Sequence, residues 1–290
     1  MTNDTVVVLG GGGLVGTLIC SVLKQQGLHT RVLDCRAGEH EDEHHQVDVN
    51  NPPSDSAQLF SNAIAVVFGL PERVAVDAIG WVLQVVSVDV VFIPTCSVQG
   101  PFYSALRAQA AQQPFIGINP MFSPKLSVQG RTVAICRDDE GATLSFIETA
   151  LIAAGMNIRR MTPASHDELM ALCQALPHAA IIGFGMALAK SSLDLALIEE
   201  VMPPPMRTML ALLSRLLVNP AEVYWGIQQE NHQASQQRDA LVQGMERLIR
   251  IVSDEDYQRF KHDLQTITTA LGSRVDRGAL DCQRIFSQLN

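Results

Sequence analysis

An α/β domain built on a parallel sheet, followed by an all-α domain, is the fold class that the sequence predicts. Three observations predict it. Short β-branched apolar runs alternate with helical spacing from the N-terminus to about residue 161, the first of those runs ends in a string of glycines, and beyond Thr162-Pro163 apolar residues keep helical spacing with few strand signals.

Val6-Val7-Val8-Leu9 is a β-branched apolar run that reads as a strand buried on both faces. It enters Gly10-Gly11-Gly12-Gly13-Leu14-Val15-Gly16, in which Gly11, Gly13 and Gly16 have GxGxxG spacing, and a helix follows from Leu14 to Gln26. Gly11 is expected at the tight turn, Gly13 where backbone N–H groups approach a pyrophosphate, and Gly16 where the helix packs closely on the strand. Gly12, Leu14 and Val15 complete that loop. Thr30-Arg31-Val32-Leu33 reads as the second strand, with Asp34 at its C-terminal end to accept hydrogen bonds from ribose hydroxyls. A carboxylate there repels a 2′-phosphate, which favours NAD over NADP, although Arg36 stands close by. These features together predict a Rossmann-like NAD-binding domain.

From Arg36 to Ser61 the chain is polar and reads as loop; His40 and His44 have the spacing to share a helix face and bind a metal, but solvated residues are the simpler reading and no metal is expected. Ala63 to Phe68 is the next strand, ending at Gly69-Leu70-Pro71, where Leu70 and Pro71 should border the crevice at the strand ends. Helical spacing over 72 to 86 and a strand from Val88 to Ile93 follow. Further strands are expected at Phe115 to Ile118, Arg131 to Cys136 and Asn157 to Met161, the last two flanking a helix from Gly141 to Ala154. Asn119 to Lys125 contains two prolines and reads as a rigid extended loop.

The change of pattern at Thr162-Pro163 puts a boundary there, giving an NAD-binding domain over 1–162 and a helical domain over 163–290. Across the whole chain, 47% apolar residues suffice for packed cores, and a net charge of −9 argues against nucleic acid or an anionic membrane as partner. Six scattered cysteines, mostly in apolar patterns, read as reduced packing residues of a cytoplasmic protein. The first residues run almost directly into a strand, so no signal peptide is expected, and the best apolar run, Ala179 to Ala189, is too short to span a bilayer. Exposed apolar faces on the last helices are best explained by dimerisation.

Several residues are placed for chemistry. Ser97, after the strand ending at Ile93, either touches nicotinamide or substrate or caps the next helix. Asn119 falls at a strand end. Asp167, Gln174 and His178 fall at i, i+7 and i+11 on one helix face, and Pro177 should bend that helix just before His178. A lone helix histidine is more often structural, and Arg215, in an apolar helix of an acidic chain, has an internal salt bridge as its simpler reading.

At this point the sequence resembles the prephenate dehydrogenase family. Gly117-Ile118-Asn119-Pro120-Met121-Phe122-Ser123-Pro124 resembles that family's glycine-x-histidine-proline-methionine-phenylalanine-glycine-proline motif, and His166-Asp167 with Gln174-Ala175-Leu176-Pro177-His178 resembles the start of its helical domain. Ser97-Val98 resembles its serine-valine-lysine turn, and Arg215-Leu216 with Asn219-Pro220 and Tyr224 resembles the region of its substrate-binding arginine. The resemblance implies a homodimer formed through the helical domain and a small-molecule substrate bound between the domains. It also implies NAD-dependent oxidation of a cyclohexadienol with loss of carbon dioxide. Carried over by position, Ser97 would bond the C4 substituent, His178 would line the substrate site, Arg215 would hold a carboxylate, and Gln174 and Tyr224 would line the substrate.

The family's catalytic histidine, however, is Asn119 here, Gln99 stands at its lysine, Pro94 where aspartate is frequent, and Ser123 at a glycine. Asparagine cannot act as a base. A C4 amine fits that loss, because its nitrogen stabilises the cation left by hydride departure and no proton need leave a neutral amine in that step. Gln99 also removes a charge unfavourable to an amino group. The expected reaction is therefore oxidation of 4-amino-4-deoxyprephenate to 4-aminophenylpyruvate, for secondary metabolism. Ordinary prephenate or arogenate oxidation is the alternative, and a non-catalytic NAD-binding regulator is a third reading. The length leaves no room for a mutase or amino-acid-sensing domain.

Overall fold

The computed structural model describes residues 4–38, 43–138, 145–192 and 194–289. They form two compact units, Met1–Met170 with Gln229–Asn231 and Ala171–Gln228 with His232–Asn290.

In the first unit, β1 (Thr5–Leu9), α1 (Leu14–Gln25), β2 (His29–Asp34), β3 (Glu43–Gln46), β4 (Ala63–Phe68), α2 (Glu72–Val85) and β5 (Val91–Pro94) build a parallel sheet of order β3-β2-β1-β4-β5. The period-2 alternation of β1 sends Val6 and Val8 into one apolar cluster with Ile19 and Leu23 of α1, and Val7 and Leu9 into another with Phe68 and Phe92. Burying both faces is what required a run without polar side chains. Because β1, β2, β4 and β5 are mutually parallel, their C-terminal ends share one edge.

Then come α3 (Gly100–Gln109), β6 (Gly117–Pro120), β7 (Thr132–Cys136), α4 (Phe146–Ala153), β8 (Asn157–Met161) and α5 (Pro163–Met170). Phe115 bridges Phe92 of β5 before the chain enters a second sheet, β6-β7-β8, in which β6 is antiparallel to β7 and β8 parallel to it. Glu148, fully buried on α4, ties that sheet together. Its Oε2 accepts from Arg137 Nη1 at 2.6 Å and its Oε1 from Arg160 Nε at 2.7 Å, while Ser145 closes a capping box with it.

Several expectations are corrected. The segment read as polar loop contains β3, an edge strand whose side chains Glu43, His44 and His45 are only half-buried, so it shows no apolar pattern. His44 thus lies on a strand rather than a helix face, and His40 is outside the described residues. Residues 88–90 form a turn, with Val88 62% exposed, and the strand starts at Val91. Asn119 and Pro120 belong to β6 rather than to a loop; β6 is the outer strand of its sheet, where the missing proline N–H is tolerated. Of the six cysteines, Cys35, Cys173 and Cys282 are exposed, and only Cys20, Cys96 and Cys136 pack inside.

The second unit is helical: a π turn (Ala171–Ala175) leads into α6 (Leu176–Ala189), α7 (Leu195–Val201), α8 (Pro204–Leu217), α9 (Ala221–Gln229), α10 (Ala234–Ser253), α11 (Tyr257–Leu271) and α12 (Arg274–Phe286). The π turn sits where Pro177 removes a donor, and it interrupts the 3.6-residue period on which Asp167, Gln174 and His178 were counted to one face. The division between units falls after Met170, beyond the change of pattern at Thr162-Pro163, because α5 bonds back to the first unit through His166 and Asp167. Contrary to the expectation from the sequence, the helical segment Pro163–Ala189 is long and apolar enough by length and composition to cross a membrane. It carries His166, Asp167, Glu168 and His178.

Burial alone would raise the Glu148 carboxyl, but bonds from Arg160 and Ser145 and the charge of Arg137 outweigh it and hold it below the ordinary carboxylate range. A group lowered in this way stabilises the fold above its unfolded value and loses that contribution as pH falls through its folded value. Glu148→Gln should cost about 3 kcal/mol by leaving two arginines without their shared anion. Denaturant unfolding near neutrality checks this, and the gap between variant and parent should close on acidification.

Candidate active site

At the end of β1 the backbone turns at Gly10, whose φ of +74° lies in the left-handed region. The tight turn is therefore at Gly10, one residue before the expected Gly11. Gly11 is needed for another reason: a Cβ there would lie 2.6 Å from Val32 Cγ1 of β2. A Cβ on Gly16 would overlap the Gly10 carbonyl oxygen, so α1 approaches β1 as closely as the expected packing requires. Gly13 flanks α1 with no side-chain cap, and the first turn carries no acidic residue, which leaves the N–H groups around Leu14 and Val15 facing any anion without competition.

Asp34 ends β2 and is buried. Its Oδ2 accepts from the Gly12 N–H at 3.0 Å, and its Oδ1 accepts from the Arg36 Nε and backbone N–H, each at 3.0 Å. Burial would raise this carboxyl, and the Arg36 and Gly12 bonds overcome that and lower it. The Arg36 side chain is 64% exposed, so its fork can turn aside for hydroxyl donors. Leu70 is half-buried with Cδ2 against the Gly10 position, and Pro71 caps α2. A glycine turn that excludes Cβ atoms, an uncapped helix start and an anionic strand end fit a dinucleotide.

Ser97 follows β5 in a turn held from two sides. Its N–H donates to Glu72 Oε1 at 3.0 Å, and its hydroxyl has no partner among the described residues. Burial raises the Glu72 carboxyl above its ordinary range. Gln99 is fully buried, with Nε2 donating to the Cys96 carbonyl at 2.7 Å, and Gly117 must be glycine because a Cβ would overlap Gln99 Oε1. Gln99 therefore ties the turn that carries Ser97 from its buried side.

Asn119 is buried on β6, and its Nδ2 donates to His166 Nε2 at 3.0 Å. His166 Nδ1 donates in turn to Asp167 Oδ1 at 2.8 Å, and the Asp167 carboxylate also takes the N–H groups of Gln99 at 2.8 Å and Gly100 at 2.7 Å. Sequence resemblance marks the His166-Asp167 segment without giving His166 a task. The adjacent histidine and aspartate were the available signal; their pairing with Asn119 depends on residues 47 apart in sequence.

In the helical unit, His178 stacks edge-on against Tyr224 at 5.1 Å. His178 Nδ1 and Gln174 Oε1 are both buried without a hydrogen-bond partner among the described residues, the condition expected of groups that await a polar ligand. Tyr224 Oη accepts from Asn219 Nδ2 at 2.8 Å. Arg215 is exposed on α8 and forms no ion pair among the described residues, against the simpler reading of an internal salt bridge. Among the described residues no cluster of three metal-ligating side chains occurs.

The fold, a Rossmann-like α/β domain followed by a helical domain, is a dehydrogenase architecture. Residues 162–266 match the family profile of the prephenate dehydrogenase dimerization domain. A 4-amino-4-deoxyprephenate dehydrogenase of Streptomyces pristinaespiralis is 32% identical over 286 residues, spanning 98% of this chain and 97% of the relative. Among solved structures, prephenate dehydrogenase from Aquifex aeolicus superposes with a TM-score of 0.73 at 15% identity, covering 93% of this chain and 99% of that one. A complex of the A. aeolicus enzyme with hydroxyphenyl propionate and NAD+ gives 0.69 at 15% identity, covering 96% and 98%. This chain belongs to the prephenate dehydrogenase family.

Burial first, and the charge of Arg215 second, lower the His178 imidazole below its ordinary value. Arg215→Gln should move the His178 titration upward while leaving it below about 6.5, since burial remains. An NMR pH titration of the ring protons checks this. The lowered value makes the folded state lose stability as pH falls from the unfolded histidine value toward the folded one.

Proposed function

We propose that this protein catalyses NAD-dependent oxidative decarboxylation of 4-amino-4-deoxyprephenate to 4-aminophenylpyruvate, as a homodimer. The observation that carries the reading is Asn119 at the family's catalytic histidine position, with its Nδ2 committed to His166 and its Oδ1 without a partner among the described residues. An amide oxygen accepts a hydrogen bond and does not take a proton. A C4 hydroxyl oxidised without a base would pass through a strongly acidic protonated carbonyl. A C4 amine passes instead through an iminium cation, which is neutralised when the ring carboxylate leaves as carbon dioxide. The C4–H pair leaves as hydride, the C1–carboxylate bond pair enters the ring, and the product is an aniline.

The relative of that name, matched over nearly its whole length, supports the same substrate. NAD supplies the hydride acceptor. The Gly10–Gly16 turn and the start of α1 hold its pyrophosphate, and Asp34 receives its ribose hydroxyls. Ser97, with a free hydroxyl on a turn held by Glu72 and Gln99, bonds the C4 substituent beside the nicotinamide. Arg215 holds a substrate carboxylate through its planar fork, and the unpaired atoms of Gln174 and His178 line the substrate beside Tyr224. Free cysteines throughout the described chain fit a cytoplasmic enzyme.

NADH formation should be orders of magnitude faster with 4-amino-4-deoxyprephenate than with prephenate, and Asn119→His should move the preference toward prephenate. Faster parent turnover of prephenate defeats the amine reading; NAD binding with no turnover of either substrate favours a regulator. For the dimer, Val242, Met245, Ile249 and Val252 are more than half exposed along α10. Sedimentation should give twice the 31.6 kDa chain mass, and Ile249→Asp should shift it toward monomer if that stripe is covered.

A further inference from the structure

Resting on the function just proposed, we infer that His166, clamped by Asp167, is a positioning residue that holds the Asn119 amide with its oxygen toward the C4 substituent and so sets the preference for an amine. The argument follows from which atoms can donate. Both Asp167 oxygens are engaged, Oδ1 by the Gln99 N–H and His166 Nδ1, and Oδ2 by the Gly100 N–H. A carboxylate only accepts, so the Nδ1 of His166 carries the proton. The Asn119 group 3.0 Å from Nε2 is the amide nitrogen, which only donates, so Nε2 is the bare acceptor of this tautomer. Oδ1 is left on the opposite branch of the amide, where it has no partner among the described residues.

The clamp is rigid. His166 is fully buried, the Asp167 backbone carbonyl accepts from Asn231 Nδ2 at 2.7 Å, and Gly100 approaches so closely that a Cβ would lie 2.8 Å from Asp167 Oδ2. An amide oxygen facing C4 accepts an amine N–H and leaves the nitrogen lone pair free to stabilise the cation as hydride departs. The opposite rotamer would place NH2 against that lone pair and withdraw it. A hydroxyl oxygen has a second lone pair and bonds to either face of the amide, so its oxidation depends far less on the rotamer.

The test uses the full-length protein and measures kcat/KM with NAD for 4-amino-4-deoxyprephenate and for prephenate in the parent, His166→Leu and His166→Gln. Leucine cannot accept the Asn119 donor, whereas the glutamine amide oxygen can. The amine-to-hydroxyl ratio should fall about tenfold or more in His166→Leu, mainly through kcat, and recover most of the way in His166→Gln. A ratio unchanged in His166→Leu, with both substrates slowed alike or with the fold merely less stable, overturns the inference. The parent's own ratio tests the proposed function separately: it can be below one while the fall on His166→Leu still occurs. Independently of any turnover, 15N NMR of the parent at neutral pH should show His166 protonated at Nδ1 and bare at Nε2. A proton on Nε2 overturns the assignment whatever the substrate, and also decides the case where a variant does not fold.

Discussion

The first unit depends on a strand that has no exposed face. β1 is buried above and below and paired on both edges, with β2 on one side and β4 on the other. Such a strand can bear neither a charge nor a break within the sheet, and everything polar is displaced to its C-terminal end. There the chain reverses at Gly10 and α1 is drawn in until Gly16 meets the Gly10 carbonyl. The result is a helix start with uncapped N–H groups beside the buried carboxylate of Asp34. The anion-binding character of this edge follows from the packing of the sheet.

At β5 and β6 the same edge is organised by carboxylates. Glu72 holds the Ser97 turn and Asp167 holds the start of α3 and the His166 ring. Each carboxylate accepts backbone N–H groups that would otherwise be unpaired at a helix or turn, so structural satisfaction and positioning are the same interaction. Asn119 is held in the same network, its amide nitrogen donating to the His166 ring that Asp167 anchors.

Strands with strong apolar runs were legible in the sequence because burial on both faces leaves a local mark; β1, β4 and β7 fall close to where that mark puts them. β3 was not legible, since an edge strand with half-buried polar side chains has the composition of a loop. Pro120 obscured the end of β6 for the related reason that a proline is excluded from inner strands and tolerated on an outer one. The burial of Gln99 was not legible either, since only its contacts with Cys96 and Gly117, brought together by folding, show that it faces inward.

By itself the sequence determined the class of fold, the glycine loop and the acid at the end of the second strand, each carried by local spacing and pattern, and its resemblance over motifs from Ser97 to Tyr224 determined the family. Tertiary structure decided which atoms those residues have left to offer. That Asn119 spends its amide nitrogen on His166, and that Arg215 lacks a carboxylate and the buried His178 Nδ1 and Gln174 Oε1 lack a hydrogen-bond partner among the described residues, all depend on groups brought together by folding. A hydrogen bond is set by distance and direction in space, and residue order does not encode those for groups tens of positions apart.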